Sequence, residues 1–242
     1  MLVLAGFSSC QGVQSVQNQL RIARVDLDYE LTSPIYEGNP DKTVYLNFID
    51  NSNMEYFTTV KSSNILVLPF ILFNYWHKKF NVILGESALT QPYREFLTDA
   101  LLAECNRSAS FNLKTGDAVS LADAYSLDIK IIQNQTLSGI QEVNYNFIIP
   151  TSSYSTFSFS NANYQVLPVV SDLEIVASLK KGKQHLLEKN YTIRQKWNSK
   201  LVGNLAFASE QCVFKMTDCL SLTTEQIVTA ISRDLDMVLS TQ

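Results

Sequence analysis

The chain has 242 residues, of which 46% are hydrophobic and 17% are charged, and its mean hydropathy is zero. A chain of this length and composition can bury a core of its own, which argues against a disordered or membrane-spanning protein. The net charge of −4 and the pI near 5.2 argue against nucleic-acid binding, because contacts with phosphates require a surplus of lysine and arginine.

The first ten residues, MLVLAGFSSC, form an apolar run that ends in two small residues and a cysteine. This pattern resembles the lipobox of bacterial lipoproteins, in which the peptide is cut before the cysteine and the cysteine is acylated. Two features depart from it: Phe7 stands where leucine is usual, and no basic residue precedes the apolar run. The resemblance implies lipidation at Cys10, and the alternatives are a cloning remnant or a short buried strand.

The segment after Cys10, QGVQSVQNQ, is polar and uncharged, which is typical of a flexible tether. We therefore expect a signal remnant and tether over residues 1–20 and a single domain over residues 21–242. Surface-exported lipoproteins of Bacteroidota carry acidic residues directly after the cysteine, and none follows Cys10. The resemblance thus implies an outer-membrane lipoprotein, of the Bacteroidota type, that faces the periplasm.

The first third of the folded part is predicted to be extended. Residues 21–31 alternate apolar and charged side chains, and residues 44–49 show a second alternating run. A third extended stretch contains Tyr75 and Trp76 beside two lysines. These aromatic residues are candidates for contact with a lipid or a partner protein, and the alternative is that they cap the core at a strand end.

The clearest helix follows at residues 91–105. Thr90 is the predicted N-cap, because its hydroxyl can accept a hydrogen bond from a free backbone N–H, and Pro92 falls in the first turn. Apolar residues then recur at steps of three and four, which predicts one buried stripe: Tyr93, Phe96, Leu97, Ala100, Leu101 and Cys105.

The nearest approach to an enzyme signature is Ser87, which lies between a predicted strand and this helix. The nucleophile elbow of hydrolases needs a second glycine where Leu89 stands. A serine hydrolase using Ser87 with His77 or His185 is therefore a minor alternative, and no catalytic residue is predicted. Neither histidine lies near a cysteine pair, so we predict no metal site and no cofactor.

The second half alternates with period two over residues 125–131, 143–149 and 173–179, which predicts an antiparallel sheet with one wet face. The sequence KKGK at 180–183 predicts a hairpin turn. A polar and aromatic insertion near 136–165 predicts either an extra hairpin or a mobile flap. It holds three further candidate contact residues: Tyr154, Phe157 and Phe159.

A second helix is predicted from a capping box of Thr223 and Gln226. Just before it, Cys212 and Cys219 flank six residues that could form a tight turn. In an oxidising periplasm the two cysteines could therefore be either bonded or free. Two amphipathic helices and an amphipathic sheet predict an α+β fold, a two-layer sandwich of a mostly antiparallel sheet with both helices on one face.

This order of elements resembles the sandwich of envelope lipoproteins such as the ABC-type transport auxiliary lipoproteins and the lipopolysaccharide-assembly lipoprotein. The resemblance is architectural and covers about residues 40–240, and it rests on SSC at 8–10, EFLTDALLAE in the helix at 91–105, YSLDIKI at 125–131, DLEIVASL at 172–179 and TEQIVTAISRDLDMVL at 224–239. It implies a non-enzymatic, lipid-anchored partner of an envelope transport or assembly complex. The alternative is a carrier of a hydrophobic ligand, such as a lipid, in a cavity between helices and sheet.

Overall fold

The computed structural model describes residues 7–34, 40–48, 58–66, 73–107, 110–116, 124–152, 155–198 and 200–241. Over these ranges the chain has an α+β fold with a mostly antiparallel sheet, as the alternating sequence patterns predicted. The α-helices are α1 (Phe7–Ile22), α2 (Tyr93–Cys105) and α3 (Leu205–Ser240), and a short 3₁₀ turn covers Glu86–Ala88.

The described strands form one nine-stranded sheet. Its strands are β1 (Thr43–Phe48), β2 (Thr59–Leu66), β3 (Phe73–Ile83), β4 (Asn112–Thr115), β5 (Tyr125–Ser152), β6 (Ser155–Val166), β7 (Val169–Lys181), β8 (Gln184–Trp197) and β9 (Val202–Gly203).

The 28-residue strand β5 organises the sheet, because its two halves have different neighbours. Its first half lies between β1, which is parallel to it, and the antiparallel strand β7. Its second half lies between the antiparallel strands β3 and β6. The sheet therefore has a body around residues 125–137 and an arm around residues 140–152, and the insertion predicted near 136–165 is the hairpin of β5 and β6.

The core lies between the body of the sheet and α3. Every second residue of β7 is buried, from Val169 to Leu179, and α3 packs across this row. The buried stripe of α3 runs from Ala208 to Leu239. Full burial of one leucine or isoleucine contributes about 1.5–3 kcal/mol, so this interface contributes strongly to stability.

The C-terminal helix begins at Leu205, which is 19 residues earlier than the capping box predicted. Asn204 is its N-cap, and the Asn204 side chain accepts a hydrogen bond of 2.9 Å from the Phe207 N–H. Thr223 lies inside the helix, where its hydroxyl donates to the Cys219 carbonyl at 2.6 Å. The predicted start was wrong because residues 205–240 contain no glycine or proline to end a preceding turn.

The disulfide considered between Cys212 and Cys219 was also wrong. Both residues lie on α3, seven residues apart, which is about 10.5 Å along a helix axis. Bridged cysteines have Cα atoms no more than about 7 Å apart. Both are free and buried, as is Cys105, and burial raises the pKa of the Cys105 and Cys212 thiols to about 12.

The flexible tether predicted over residues 11–19 is a part of α1 instead. Val16 and Leu20 are each 1% exposed and belong to the core, with Val13 packed against it. These three residues follow the three-and-four spacing of a helical stripe, which the polar residues between them obscured. The packed domain therefore includes residues that the sequence assigned to the tether.

Two other expectations changed in detail. The segment after α1 is extended, but it makes only an isolated parallel bridge between Val25 and Leu89 rather than a strand. Helix α2 begins at Tyr93, and the Thr90 hydroxyl donates to the Asp26 carboxylate instead of capping the helix. The predicted stripe of α2 is confirmed, since all six of its residues are buried. The hairpin at 180–183 is confirmed as well, with Gly182 at φ +55°.

Candidate functional site

A groove of about 490 Å³ runs between the extended segment after α1 and the outer face of α3. Five carboxylates line it, and none of the described lining residues is basic. We call it the acidic groove. Its lining residues are Val25, Asp26, Asp28 and Glu30 on the segment, and Phe214, Asp218, Ser221, Leu222 and Glu225 on α3.

The segment wall keeps the alternation that its sequence shows, although it is not a sheet strand. Asp26, Asp28 and Glu30 line the groove, while Leu27, between them, is only 8% exposed and belongs to the core. Successive residues of an extended chain point to opposite sides whether or not the chain is paired. The sequence pattern thus predicted which residues share a side, but not what holds the segment.

Glu104 on α2 holds one end of this wall. Its side chain is fully buried, and its carboxylate accepts hydrogen bonds from the Tyr29 hydroxyl at 3.0 Å, the Thr32 N–H at 3.3 Å and the Ser33 N–H at 2.7 Å. The Thr32 and Ser33 hydroxyls also donate to it. Burial by itself would raise the pKa of Glu104, but these hydrogen bonds outweigh it and hold the pKa below its usual value.

The rest of the wall is held by its backbone. The Val25 N–H donates to the Ala88 carbonyl at 3.0 Å, and the Thr90 N–H donates to the Val25 carbonyl at 3.3 Å. In the middle, the Asp28 N–H donates to the Ser221 hydroxyl of α3 at 3.1 Å. The wall is therefore fixed before any partner arrives, and a preformed site avoids the cost of ordering a loop on binding.

The α3 side supplies the apolar part of the groove. Phe214 and Leu222 are 42% and 52% exposed, so both present apolar surface to the groove. The pKa of Glu225 is raised, first by partial burial and then by repulsion from Glu30 and Glu104. The repulsion adds to the effect of burial, and no ion pair among the described residues offsets it.

One cation does reach the edge of the acidic groove. Lys215 pairs with Asp218 at 2.9 Å and lies over the rings of Phe214 and Trp197, at 4.6 and 5.0 Å from their centroids. The other four carboxylates of the groove make no ion pair among the described residues. The arrangement can bind positive charge on its acidic rim and apolar side chains on Phe214 and Leu222.

The hydrolase alternative finds no support in the positions of its residues. His77 lies six residues before the end of β3, about 20 Å of strand from the turn that holds Ser87. His185 on β8 is paired with Lys180 on β7, and Lys180 is paired with Ser126 on β5. Ser126 lies eleven residues along β5 from the residue that pairs with the end of β3, next to the turn that holds Ser87. The Ser87 hydroxyl accepts a hydrogen bond of 3.2 Å from the Thr58 N–H, and His77 Nδ1 lies 2.6 Å from Gln141 Nε2.

The aromatic contact candidates lie in the arm. Tyr75 and Trp76 are neighbours on β3, Phe157 and Phe159 are on β6, and Tyr154 falls outside the described residues. Their contact with a lipid or a partner protein stays a prediction. Cys10 lies within α1. Its acylation stays a prediction.

The remaining expectations concern metals, membranes and ligands. No described group of three or more histidine, cysteine, aspartate or glutamate residues is arranged to hold a metal ion. None of the described helices has the length and hydropathy needed to cross a membrane. Between helices and sheet, the described hydrophobic residues form one buried cluster, and a ligand-carrying cavity stays a prediction.

Comparison with known proteins gives only distant likenesses. No family model matches the chain, and no curated protein matches it. A structure from Xanthomonas campestris of family DUF330 has a TM-score of 0.40 and 13% identity, covering 88% of this chain and 97% of the other. A putative neuraminyllactose-binding hemagglutinin homolog from Helicobacter pylori has a TM-score of 0.38 and 9% identity, covering 88% and 100%. At such scores the likeness supports no argument about function.

Proposed function

We propose that this chain is a non-catalytic, lipid-anchored protein of the bacterial envelope that holds a cationic, partly apolar segment of a partner protein in the acidic groove. The partner belongs to a transport or assembly complex at the periplasmic side of the outer membrane. The observation that carries the proposal is the groove itself, in which five carboxylates surround two exposed apolar residues against a wall that is fixed from behind.

The chemistry of the groove selects the kind of segment that fits. Lysine or arginine side chains would pair with Glu30 and Glu225, whose negative charges are not compensated by a described cation. Apolar side chains of the same segment would cover Phe214 and Leu222. Complementary charges of this kind steer association and select against acidic partners, while the apolar contacts supply affinity.

The lipid anchor rests on the lipobox-like sequence that ends at Cys10. Radioactive palmitate should label the wild-type protein in growing cells and should not label the Cys10→Ala variant. A wild-type protein that takes up no label would contradict the anchor. The groove would be unaffected by that result, since its residues are outside the lipobox.

The groove is tested with the purified protein and a synthetic probe, a helical peptide of lysine and leucine. The double variant Glu30→Gln, Glu225→Gln should bind this peptide about tenfold more weakly, because two rim charges of roughly 0.7 kcal/mol each are removed. The matched control is Glu188→Gln, Glu210→Gln, which makes the same change of net charge at exposed positions outside the groove. Equal weakening in both double variants would show that only the net charge matters and would sink the proposal.

Partner identity follows from the same variants. Tagged wild-type protein and both double variants would be recovered from detergent-solubilised envelopes after cross-linking, and bound proteins compared by mass spectrometry. The proposal requires a component that is recovered with the wild type and the control, and lost with the groove variant. A wild-type protein recovered without partners would instead favour the ligand carrier.

A further inference from the structure

A cleft of about 270 Å³ lies on the face of the sheet opposite α3, and we call it the sheet cleft. Residues of β3, β5, β7 and β8 line it, together with the link between β6 and β7. On β7, the lining residues Val170 and Asp172 alternate with the buried row under α3. On β3, Lys79 and Asn81 line the cleft on either side of the buried Phe80. The sheet cleft is therefore separated from the acidic groove by the sheet and α3.

A β-bulge between the body and the arm shapes the sheet cleft. Between the paired rows 140–166 and 137–170, three residues of the β6–β7 link face two residues of β5. The Leu167 N–H donates to the Gly139 carbonyl at 2.7 Å, and the Ser138 hydroxyl donates to the Leu167 carbonyl at 3.0 Å. Because a bulge bends its strand and increases the local twist, it makes a concave surface where a regular ladder would be flat.

Gly139 allows the bulge to pack closely on the sheet. A Cβ atom at this position would lie 2.7 Å from the Phe80 carbonyl oxygen and 3.0 Å from Leu167 Cδ1. A glycine inside a strand often marks such a close approach. Leu167 lines the sheet cleft together with Leu137 and Val170. The floor of the cleft is therefore apolar, and its shape is set by backbone contacts.

The rim of the sheet cleft is positive. Four exposed cations border it, two as lining residues and two as cross-strand partners of lining residues: Lys79 and Arg194, then Lys61 and Lys196. The three lysines make no ion pair among the described residues. The acidic lining residue is Asp172, so four cations and one carboxylate leave a surplus of three positive charges, although the whole chain has a net charge of −4.

Arg194 is held in place by this carboxylate. Asp172 Oδ1 lies 3.4 Å from Arg194 Nε, which leaves the two terminal nitrogens of the guanidinium group able to donate to an anion. A guanidinium fork matches two oxygens of a phosphate group, and Lys79 adds a second cation on the same rim. The next acidic residue of β7 on this face, Glu174, does not line the cleft and accepts a hydrogen bond from Asn190 at 2.7 Å.

We infer that the sheet cleft binds a phosphate ester with a short apolar body. A phosphate monoester carries about 1.5–2 negative charges at neutral pH, which suits the surplus of positive charge better than a single carboxylate does. The apolar floor accepts the carbon atoms of the ester. The cleft has the volume of about nine water molecules, so it accommodates a small ligand of about the size of butyl phosphate.

Three ligands test the chemistry of the site by isothermal titration. The protein is the full chain with Cys10→Ala, because acylation plays no part in the inference. Butyl phosphate should bind at least about tenfold more tightly than pentanoate, which has a similar body and one carboxylate, and than inorganic phosphate, which has no body. Equal affinity for pentanoate would overturn the phosphate assignment, and equal affinity for inorganic phosphate would overturn the apolar body.

The rim is tested with a matched pair of double variants. Lys79→Gln, Arg194→Gln should bind butyl phosphate at least about tenfold more weakly, because charge-assisted hydrogen bonds are lost. Lys183→Gln, Arg233→Gln makes the same change of charge at exposed positions outside the cleft and should bind like the parent. Equal weakening in both would mean that only the net charge matters and would overturn the site.

The floor is tested with Val170→Thr, which keeps the shape of the side chain and replaces a methyl group by a hydroxyl. This variant should bind butyl phosphate about fourfold more weakly and inorganic phosphate unchanged. An equal effect on both ligands, or no binding of butyl phosphate by the parent, would contradict the inference.

Two further variants keep the result interpretable. If the rim variant has a lower unfolding temperature, Lys79→Gln replaces it, with Lys183→Gln as its control. The groove variant Glu30→Gln, Glu225→Gln should bind butyl phosphate like the parent, because its residues do not line the sheet cleft. The sheet cleft and the acidic groove therefore succeed or fail independently.

Discussion

The wall of the acidic groove and the arm of the sheet are both extended and both alternate, yet they are held in different ways. The arm is paired on both sides of β5, so each of its residues adds to a continuous backbone ladder. The wall at residues 25–33 has one bridge, a few backbone hydrogen bonds in its first part, and an end that depends on the side chain of Glu104. A ladder tolerates the loss of a side chain, whereas the end of the wall, which the buried carboxylate of Glu104 holds, does not.

This difference separates the two surfaces by the kind of change that should damage them. Substitutions at exposed positions of the arm, such as Asn81, should leave the fold intact. Substitutions of residues that hold the wall, such as Glu104, should disorder the wall and so disrupt the groove, although these residues do not line it. Five measurements can break or sharpen this contrast.

The largest effect is expected at Phe80, a buried residue of β3 in the arm. Phe80→Ala should lower the free energy of unfolding by about 3–5 kcal/mol, because Phe80 is fully buried and the substitution leaves a cavity. Asn81→Ala, at the exposed neighbouring position of β3, should change it by no more than about 0.5 kcal/mol. Chemical denaturation measures both. A large loss for Asn81→Ala would mean that both faces of β3 are buried.

The next effect is expected behind the wall. Glu104→Gln should cost about 2–3 kcal/mol, because an amide cannot accept all the hydrogen bonds that Tyr29, Thr32 and Ser33 donate. Asp99→Asn, at an exposed position of the same helix, is the control. The Glu104→Gln variant should also lose the binding of the lysine and leucine peptide, which a wall held by its backbone alone would retain.

The pH dependence of this effect has a defined sign. The pKa of Glu104 is lowered in the folded protein, so its contribution is present above the pKa of an unfolded glutamate, about 4.3, and is lost as the pH falls through the folded value. The stability difference between wild type and Glu104→Gln should therefore be full at neutral pH and should shrink in acid. A constant difference would contradict a charged Glu104.

A smaller effect is expected in the groove. The pKa of Glu225 is raised, so peptide binding should weaken as the pH falls through a range above that of an ordinary glutamate. Glu30→Gln removes one source of repulsion and should move this midpoint to lower pH. Isothermal titration at a series of pH values measures it. An unmoved midpoint would place the titrating group elsewhere.

The smallest effect is expected from reduction. With three buried free cysteines, a reductant should leave the unfolding temperature of the Cys10→Ala protein unchanged. A thiol reagent should label these cysteines only after denaturation, because burial and a raised pKa suppress the thiolate. A lower unfolding temperature after reduction would indicate a disulfide and a different course of the chain near Cys212.

Local patterns were enough to predict several elements. The stripe of α2, the hairpin at Gly182 and the alternation of β7 depend on residues close in sequence, and all three are present. The α+β class followed from them. The wrong predictions, the tether and the start of α3, arose where polar residues or a capping motif hid a helix that tertiary packing stabilises.

The candidate site was less accessible to sequence reasoning. Asp26, Asp28 and Glu30 appeared only as the polar positions of a predicted strand, and the opposite wall is about 190 residues away on α3. Glu104 appeared as one more charge after an apolar stripe. The alternation of acidic residues at positions 26–30 was visible in the sequence. It indicates a binding groove only when the segment is known to lie beside α3.

The sequence by itself determined which residues share a face, because the periods of helices and strands are set by backbone geometry. It thereby determined the apolar stripes, the acidic side of residues 26–30 and the alternation along the arm. Only the tertiary structure decided that β5 joins a body and an arm, and that Glu104 holds the groove wall. Those features depend on contacts between distant residues, and local periodicity contains no information about which distant surfaces meet.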